Sequence, residues 1–345
     1  MRSKRVHLFI GLIIIALSLF FAFRGVSVKE LTDALMKADY FYLMPAIVIV
    51  IISYYLRALR WRFLVCTVKE VKTGDLFSPL MIGFMANMLP ARAGEFIRAY
   101  LLSRKARISF SASFATIFIE RLFDLVMVLL LLVWVLLFMP DAFSSGDPEG
   151  SFQIVDKVRI FGVTSLAICV FIFIFSALLQ YKHELALRIV GVFISPLPGP
   201  WKEKILGMVR SFSEGLKIMK DRRGFLATIF LSFLIWALFV FAYYPLYLAF
   251  GIESELPVIS SLLIICLTVA IFITVAPTPG FLGSYHLGCV AALHGIFGIQ
   301  KAVALSYGIV AWTVVMGTTV IIGALFALKE NISLSKVSAG KENAE

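Results

Sequence analysis

Charged side chains are scarce in this chain. They make up 15% of its 345 residues, against roughly 25% in average soluble proteins, and 61% of the residues are hydrophobic. An ordinary water-soluble domain is excluded. Cysteine is thin as well: Cys66, Cys169, Cys266 and Cys289 fall at no metal-ligand or redox spacing and read as small apolar packing residues. His286 and His294 are eight positions apart, too far to share a metal as i,i+4 ligands do. No metal and no cofactor is expected. Acidic residues are outnumbered, leaving a formal charge of +11, yet this excess does not indicate nucleic-acid binding. The Lys and Arg residues cluster between apolar runs, where the positive-inside rule and anionic lipid head groups account for them.

Apolar sequence is what the chain has in abundance. It falls in runs at 6–23, 41–56, 76–89, 113–139, 158–180, 225–250, 258–276, 282–297 and 303–328. Several pass the roughly 18–20 residues that a bilayer crossing needs. The expected fold is an all-α polytopic membrane protein, a single integral membrane domain over residues 1–345. Arg2, Lys4 and Arg5 followed by apolar residues to Phe23 have the look of a signal peptide. No small-residue cleavage site follows, so the segment reads as an uncleaved first helix.

Basic loops set the orientation. Arg2, Lys4 and Arg5 place the N-terminus in the cytoplasm. Arg57, Arg60, Arg62, Lys69 and Lys72 form a second basic loop, and Arg98, Arg104, Lys105 and Arg107 a third. Both flanks of the run at 76–97 are then cytoplasmic, so this segment is expected to enter and return as a re-entrant hairpin turning near Pro90 and Gly94. The next run leads to an acidic loop with Asp141, Asp147, Glu149 and Asp156, and 158–180 returns to a basic, amphipathic cytoplasmic loop at 181–224. Within that loop, 201–219 carries Trp201, Ile205, Met208, Phe212, Leu216 and Met219 on one helical face, the pattern of a helix lying on an anionic leaflet. A second hairpin, entering from outside, is expected around Pro277-Thr-Pro279-Gly280-Phe-Leu-Gly283.

The resulting pattern is about six full spans plus two re-entrant helical hairpins. Repeat 1 covers about 6–139 and repeat 2 about 158–328, with opposite topology, as in many secondary transporters. The two breaks share a Pro-to-Gly spacing, Pro90 to Gly94 and Pro279 to Gly283. Ordinary spans including two kinked helices are the alternative. The expected location is the plasma (inner) membrane, multi-pass, with both termini cytoplasmic.

The segment Asn87-Met-Leu-Pro90-Ala-Arg92-Ala-Gly94-Glu95-Phe-Ile-Arg98 is the most informative stretch. Proline, glycine and three charges at membrane depth are costly unless protein or water satisfies them. Glu95 and Arg98 are three apart and share a helical face. Arg92 and Arg98 have the guanidinium fork suited to phosphate, and the helix that starts after the break adds backbone donors for an anion. Arginines that snorkel to head groups are the competing explanation. Glu120, Arg121 and Asp124 lie inside the run at 113–139, where ionisable groups face a bundle interior, a partner or a wet cavity. A substrate path and a structural ion-pair cluster both fit them. His286 abuts the second break and reads more readily as a hydrogen-bonded packing residue than as a ligand. Trp61, among Arg57–Arg62, reads as an interface anchor.

At Arg57-Ala-Leu-Arg60-Trp61, at the Asn87–Arg98 stretch, at Glu120-Arg121-Leu-Phe-Asp124 and at Pro277–Gly283 the chain resembles the membrane domain of lysylphosphatidylglycerol synthases and its stand-alone, flippase-like relatives. The motifs occur in family order, so the resemblance spans nearly the whole chain. It implies lipid movement between leaflets. In that family the synthase activity resides in a separate soluble domain, and this chain, which ends at Glu345, is not expected to carry it. Phe281 stands where the family commonly has a second glycine, and His286 where it has a glutamate. The expected function is therefore translocation of an anionic or glycosylated lipid, with Arg92, Glu95, Arg98, Glu120, Arg121 and Asp124 contacting it, and with Asn87, Pro90, Gly94, Pro277, Pro279, Gly280, Gly283 and His286 forming the re-entrant turns. Expected partners are membrane lipids, anionic or polyprenyl-linked, and a further copy of the chain or a lipid-modifying enzyme. A membrane-embedded head-group or glycosyl transferase and a non-transporting scaffold for a partner enzyme are the alternatives.

Overall fold

The computed structural model describes residues 2–88, 93–139 and 221–332, with isolated positions between 164 and 209. Most of the expected span at 158–180, most of the loop at 181–224, Pro90 and Arg92 lie outside the described residues. Every regular element among the described residues is helical. Five stretches are long and apolar enough to cross a bilayer: Tyr40–Cys66, Phe110–Phe138, Arg222–Phe250, Val258–Val275 and Lys301–Lys329.

Helix α1 (Arg2–Phe23) leads into α2 (Val28–Lys37), a short amphipathic element absent from the expected pattern. It starts because Ser27 and Glu30 form a reciprocal capping box, satisfying two of the amides that a helix start leaves unpaired. Helix α3 (Leu43–Cys66) corrects the sequence reading, which ended the span at 56 and assigned Arg57 and Arg60 to a loop. The helix runs ten residues further, and Arg60 is buried inside it. Trp61 is fully buried too, not an interface anchor. The outer side of α3 exposes Val48, Ile51, Ile52 and Tyr55, as a lipid-facing surface does.

Helices α4 (Thr73–Ala86) and α5 (Gly94–Ala106) are packed on each other. With 14 and 13 residues each is about 20 Å long, short of the ~30 Å hydrocarbon core. Arg98 was expected in a basic loop beyond the hairpin; it lies in α5 and is buried. Helix α4 is buried on almost every side, as an apolar helix enclosed by others must be. Helix α6 (Phe110–Phe138) is capped by Ser109, whose hydroxyl accepts from the Ala112 amide.

In the second half, α7 (Arg222–Phe241) and α8 (Tyr244–Phe250) form one broken rod. Helix α9 (Val258–Val275) packs on α10 (Ser284–Val290), which continues as a π-helical segment at Ala291–Ile296. Helix α11 (Lys301–Trp312) joins α12 (Thr318–Lys329) through a second π segment, Thr313–Gly317. The carbonyl of Val315 in that segment accepts from the Tyr54 hydroxyl at 3.3 Å, one way a π-bulge keeps its freed backbone groups satisfied.

Contacts at the helix ends assign the elements to two sides. On one, Glu330 accepts from Ser78 at 2.6 Å and pairs with Lys105 at 3.0 Å, which ties the outer ends of α4 and α5 to the end of α12. On the other, Lys301 donates to the carbonyls of Phe21 and Arg24, and the Asp39 amide donates to the Ala249 carbonyl at 2.8 Å. The outer ends of α4 and α5 thus lie on the side away from the start of α11.

Candidate functional site

The two interrupted segments meet at their turns. The Asn87 side-chain oxygen accepts from the Gly94 amide at 3.1 Å and closes the first break. The Asn87 carbonyl accepts from the Gly280 amide at 3.0 Å, across to the second break. One asparagine therefore fastens its own turn and the opposite one. Both glycines are needed for this approach. A Cβ at Gly94 would stand 2.1 Å from the Gly83 carbonyl oxygen, and one at Gly280, where φ is 57°, would stand 2.5 Å from Met88 Sδ. Only a residue without a side chain fits such positions at little cost.

Around the second break, Trp312 donates its indole N–H to the Gly280 carbonyl at 2.8 Å. Phe281 follows with φ 59°, a left-handed conformation that is uncommon for a bulky residue, at the position where the family resemblance implies glycine. Pro277 is exposed, Pro279 half-buried and Gly280 buried. Gly283 (φ 86°) sits against Ser18 of α1. The Gly283 amide donates to His286 Nδ1 at 3.3 Å, and the imidazole lies 5.9 Å from the Trp312 ring. His286 caps its own helix, in line with the packing role favoured from sequence.

The second feature is a charge network between α3, α5 and α6. Arg98 donates to Glu120, and its guanidinium lies 3.7 Å from the centre of the Trp61 ring. Trp61 in turn donates to the Thr116 hydroxyl at 2.9 Å. Glu120 also meets Arg121 at 2.8 Å and Arg60 at 3.4 Å. Asp124 sits 2.8 Å from Arg60 and 3.4 Å from Arg121. Arg60 donates its remaining terminal nitrogen to Ser232 on α7 at 2.9 Å. Glu95 does not pair with Arg98 despite the i,i+3 spacing; its partner is Arg121, at 3.8 Å. Of the six charges expected at the site, the structure brings together Glu95, Arg98, Glu120, Arg121 and Asp124, and Arg92 lies outside the described residues.

Sequence reasoning missed the arginines of α3 and their partners on α7. Their signal was present: Phe63-Leu-Val-Cys66 resumes apolar sequence directly after Arg62, and Arg57, Arg60 and Trp61 fall on one helical face by i,i+3 and i,i+4 spacing. Fully buried charges are retained only when paired and hydrogen-bonded, and Glu120 and Asp124 supply the pairing. Several donors still lack a partner among the described residues, including Arg60 Nε, Arg98 Nε and Nη1 and Trp236 Nε1. The arrangement offers guanidinium and indole donors to an anion. Among the described residues, no group of three His, Cys, Asp or Glu side chains is placed to hold a metal.

Residues 8–323 match the family described as the lysylphosphatidylglycerol synthase TM region. Among curated relatives, the chain is 25% identical to glycosyltransferase AglD of Haloferax volcanii; the match covers 99% of this chain and 57% of that protein, so the chain spans little more than half of its length. A UPF0104 membrane protein of Methanothermobacter thermautotrophicus is 26% identical over 81% of this chain and 83% of its own. Another, from Pyrococcus horikoshii, is 23% identical over 95% and 97%. With spans of this length and number, and relatives of this kind over its whole extent, the chain is a multi-pass membrane protein that belongs to the lysylphosphatidylglycerol synthase TM region family.

Proposed function

We propose that this protein moves an anionic or glycosylated lipid between the leaflets of the plasma membrane. In this reading α4–α5 and α9–α10 are re-entrant hairpins that dip in from opposite sides, the halves form an inverted repeat, and both termini face the cytoplasm. The observation that carries the reading is the hydrogen bond from Gly280 to Asn87, at a helix end whose Phe84 ring lies 5.8 Å from the buried Arg98 of the charge network. Arg92 and Arg98 bind the head-group phosphate, while Glu95, Glu120, Arg121 and Asp124 line a polar path. A phosphate dragged through bare hydrocarbon meets a large desolvation penalty, and fixed dipoles and charges along the way lower it.

The test is translocation of fluorescent phosphatidylglycerol in proteoliposomes, read by quenching the outer leaflet. The rate should exceed that of protein-free vesicles by about tenfold or more, a barrier reduction of at least ~1.4 kcal/mol, and should fall to background in Arg98→Gln and Glu95→Ala variants. A parent protein no faster than empty vesicles would refute the proposal.

One finding favours a second reading, a membrane-embedded transferase acting on a lipid-linked sugar: a relative named as a glycosyltransferase. That name belongs to a protein of which this chain spans 57%. Product formation from a polyprenyl-linked acceptor and an activated sugar, without translocation, would select it.

A further inference from the structure

We infer that the seam between α3 and α7, at Arg57 and Trp236, is a binding subsite for the phosphate of a lipid head group. The inference deepens the translocase reading and rests on it for the source of the ligand.

Arg57 differs from the other arginines of the site. Arg60, Arg98 and Arg121 each hold a carboxylate, whereas no carboxylate lies within 4 Å of Arg57 among the described residues, and its buried Nε has no hydrogen-bond partner. Its guanidinium is held by two aromatic faces instead, 4.5 Å from the ring centre of Phe239 and 5.3 Å from that of Phe84. Such a cradle orients a cation without neutralising it. Helices α3 and α7 run antiparallel here, since Arg60 bonds Ser232 while Arg57, one turn back, meets Phe239. Trp236 lies one turn beyond Ser232 on the same face, and its ring meets Phe239 at 5.8 Å. Its indole N–H is buried and has no hydrogen-bond partner among the described residues. A guanidinium and an indole donor thus border one aromatic ring.

Charge balance names the ligand. Among the described residues of the site, four guanidinium groups (Arg57, Arg60, Arg98, Arg121) stand against three carboxylates (Glu95, Glu120, Asp124), and the surplus cation is the one with no carboxylate beside it. A single phosphodiester monoanion neutralises it, and its oxygens accept from the planar fork as carboxylates do elsewhere in the network. The seam also adjoins the lipid-facing surface. Phe233 on α7, one turn before Trp236 and on the same face, is more than half exposed. Acyl chains can therefore stay outside the helix pair while the phosphate reaches in, which argues for a lipid over a free anion.

The test uses the full-length protein in detergent micelles, with lipid retention read by native mass spectrometry. Phosphatidylglycerol is titrated against diacylglycerol with the same acyl chains. The parent should retain the first and not the second. Arg57→Gln should weaken phosphatidylglycerol binding by about 30-fold, as loss of a charge-assisted bond does, and Trp236→Phe by about fivefold, as loss of a neutral one does. Equal retention of diacylglycerol, or parent-like binding in both variants, would overturn the subsite. Should Arg57→Gln fail to fold, Trp236→Phe decides alone. Displacement of the lipid by excess inorganic phosphate would overturn the lipid assignment in favour of the free anion. Arg57-dependent binding by a parent that moves no lipid sustains the subsite and removes the translocase reading. Lipid movement with unaltered binding in both variants does the reverse.

Discussion

Glu120→Gln is the sharpest perturbation of the charge network. The substitution keeps size, removes one negative charge and turns one acceptor oxygen into an amide donor, so the response reports electrostatics and hydrogen bonding and not packing. Arg60 and Arg121 retain Asp124 at 2.8 and 3.4 Å, and their loss is partial. Arg98 has no second carboxylate within 4 Å among the described residues, and it is fully buried. Stranding a buried charge in this way costs about 3–5 kcal/mol, and a neutral hydrogen bond from Arg98 to the remaining amide oxygen recovers about 1 kcal/mol of it. A net loss of about 3 kcal/mol is expected. Unfolding in mixed micelles titrated with dodecyl sulfate, followed by tryptophan fluorescence, measures it. Arg98→Met alone should destabilise as well, because Glu120 loses its closest donor, and the double variant should be less destabilised than the two single losses added. A coupling of about 2 kcal/mol is expected from a buried pair in contact. Additive losses, or a Glu120→Gln protein within ~0.5 kcal/mol of the parent, would refute the claim that the pair is held by mutual compensation.

Gly280→Ala should destabilise by about 2–4 kcal/mol, combining a left-handed backbone with overpacking against Met88. Adding Met88→Ala should recover the steric share and leave the backbone share, as measured by the same unfolding titration. Trp61→Phe removes the bond to Thr116 and weakens the stacking under Arg98, with an expected loss of about 1–2 kcal/mol; no loss would show that the ring acts only by volume. At the surface, the Glu30 carboxylate accepts from the Ser27 amide at 2.9 Å and from its hydroxyl at 2.7 Å, and these bonds hold its pKa below the ordinary carboxylate value. The cap is therefore fully present above the unfolded-state pKa and is lost as pH falls through the lower folded one. Hydrogen exchange should show the first turn of α2 opening under acid and closed at neutral pH, and acid-independent protection there would contradict the cap.

Apolar length was a sound guide to the spans because a bilayer leaves few alternatives to a helix. The runs at 113–139 and 303–328 reappear as Phe110–Phe138 and Lys301–Lys329. It failed at α3. Two arginines in four residues end an apolar run on any transfer scale, yet the helix continues because Glu120 and Asp124 arrive from far along the chain. No local window contains both the charge and its compensation. The same reason explains Glu95, whose neighbour Arg98 is claimed by a stronger partner in another helix. The pair rule for isolated helices stabilises by only ~0.2–0.5 kcal/mol, too little to compete with a buried network.

The turns were legible as breaks from proline and glycine, but their meeting was not, because it is made by main chain: an amide at Gly280 and a carbonyl at Asn87. What the sequence carries is the missing side chain that lets them touch, and a glycine has many other uses. The turns and the charges are nevertheless mechanically joined. Phe84 precedes Asn87 by three residues, in the last turn of α4. Its ring lies 5.3 Å from the Arg57 guanidinium and 5.8 Å from that of Arg98. A shift of the last turn of α4 that carried Asn87 away from Gly280 would carry the Phe84 ring with it. A head group held at Arg57, as proposed above, would lie one aromatic ring away from the helix end whose main chain joins the two turns.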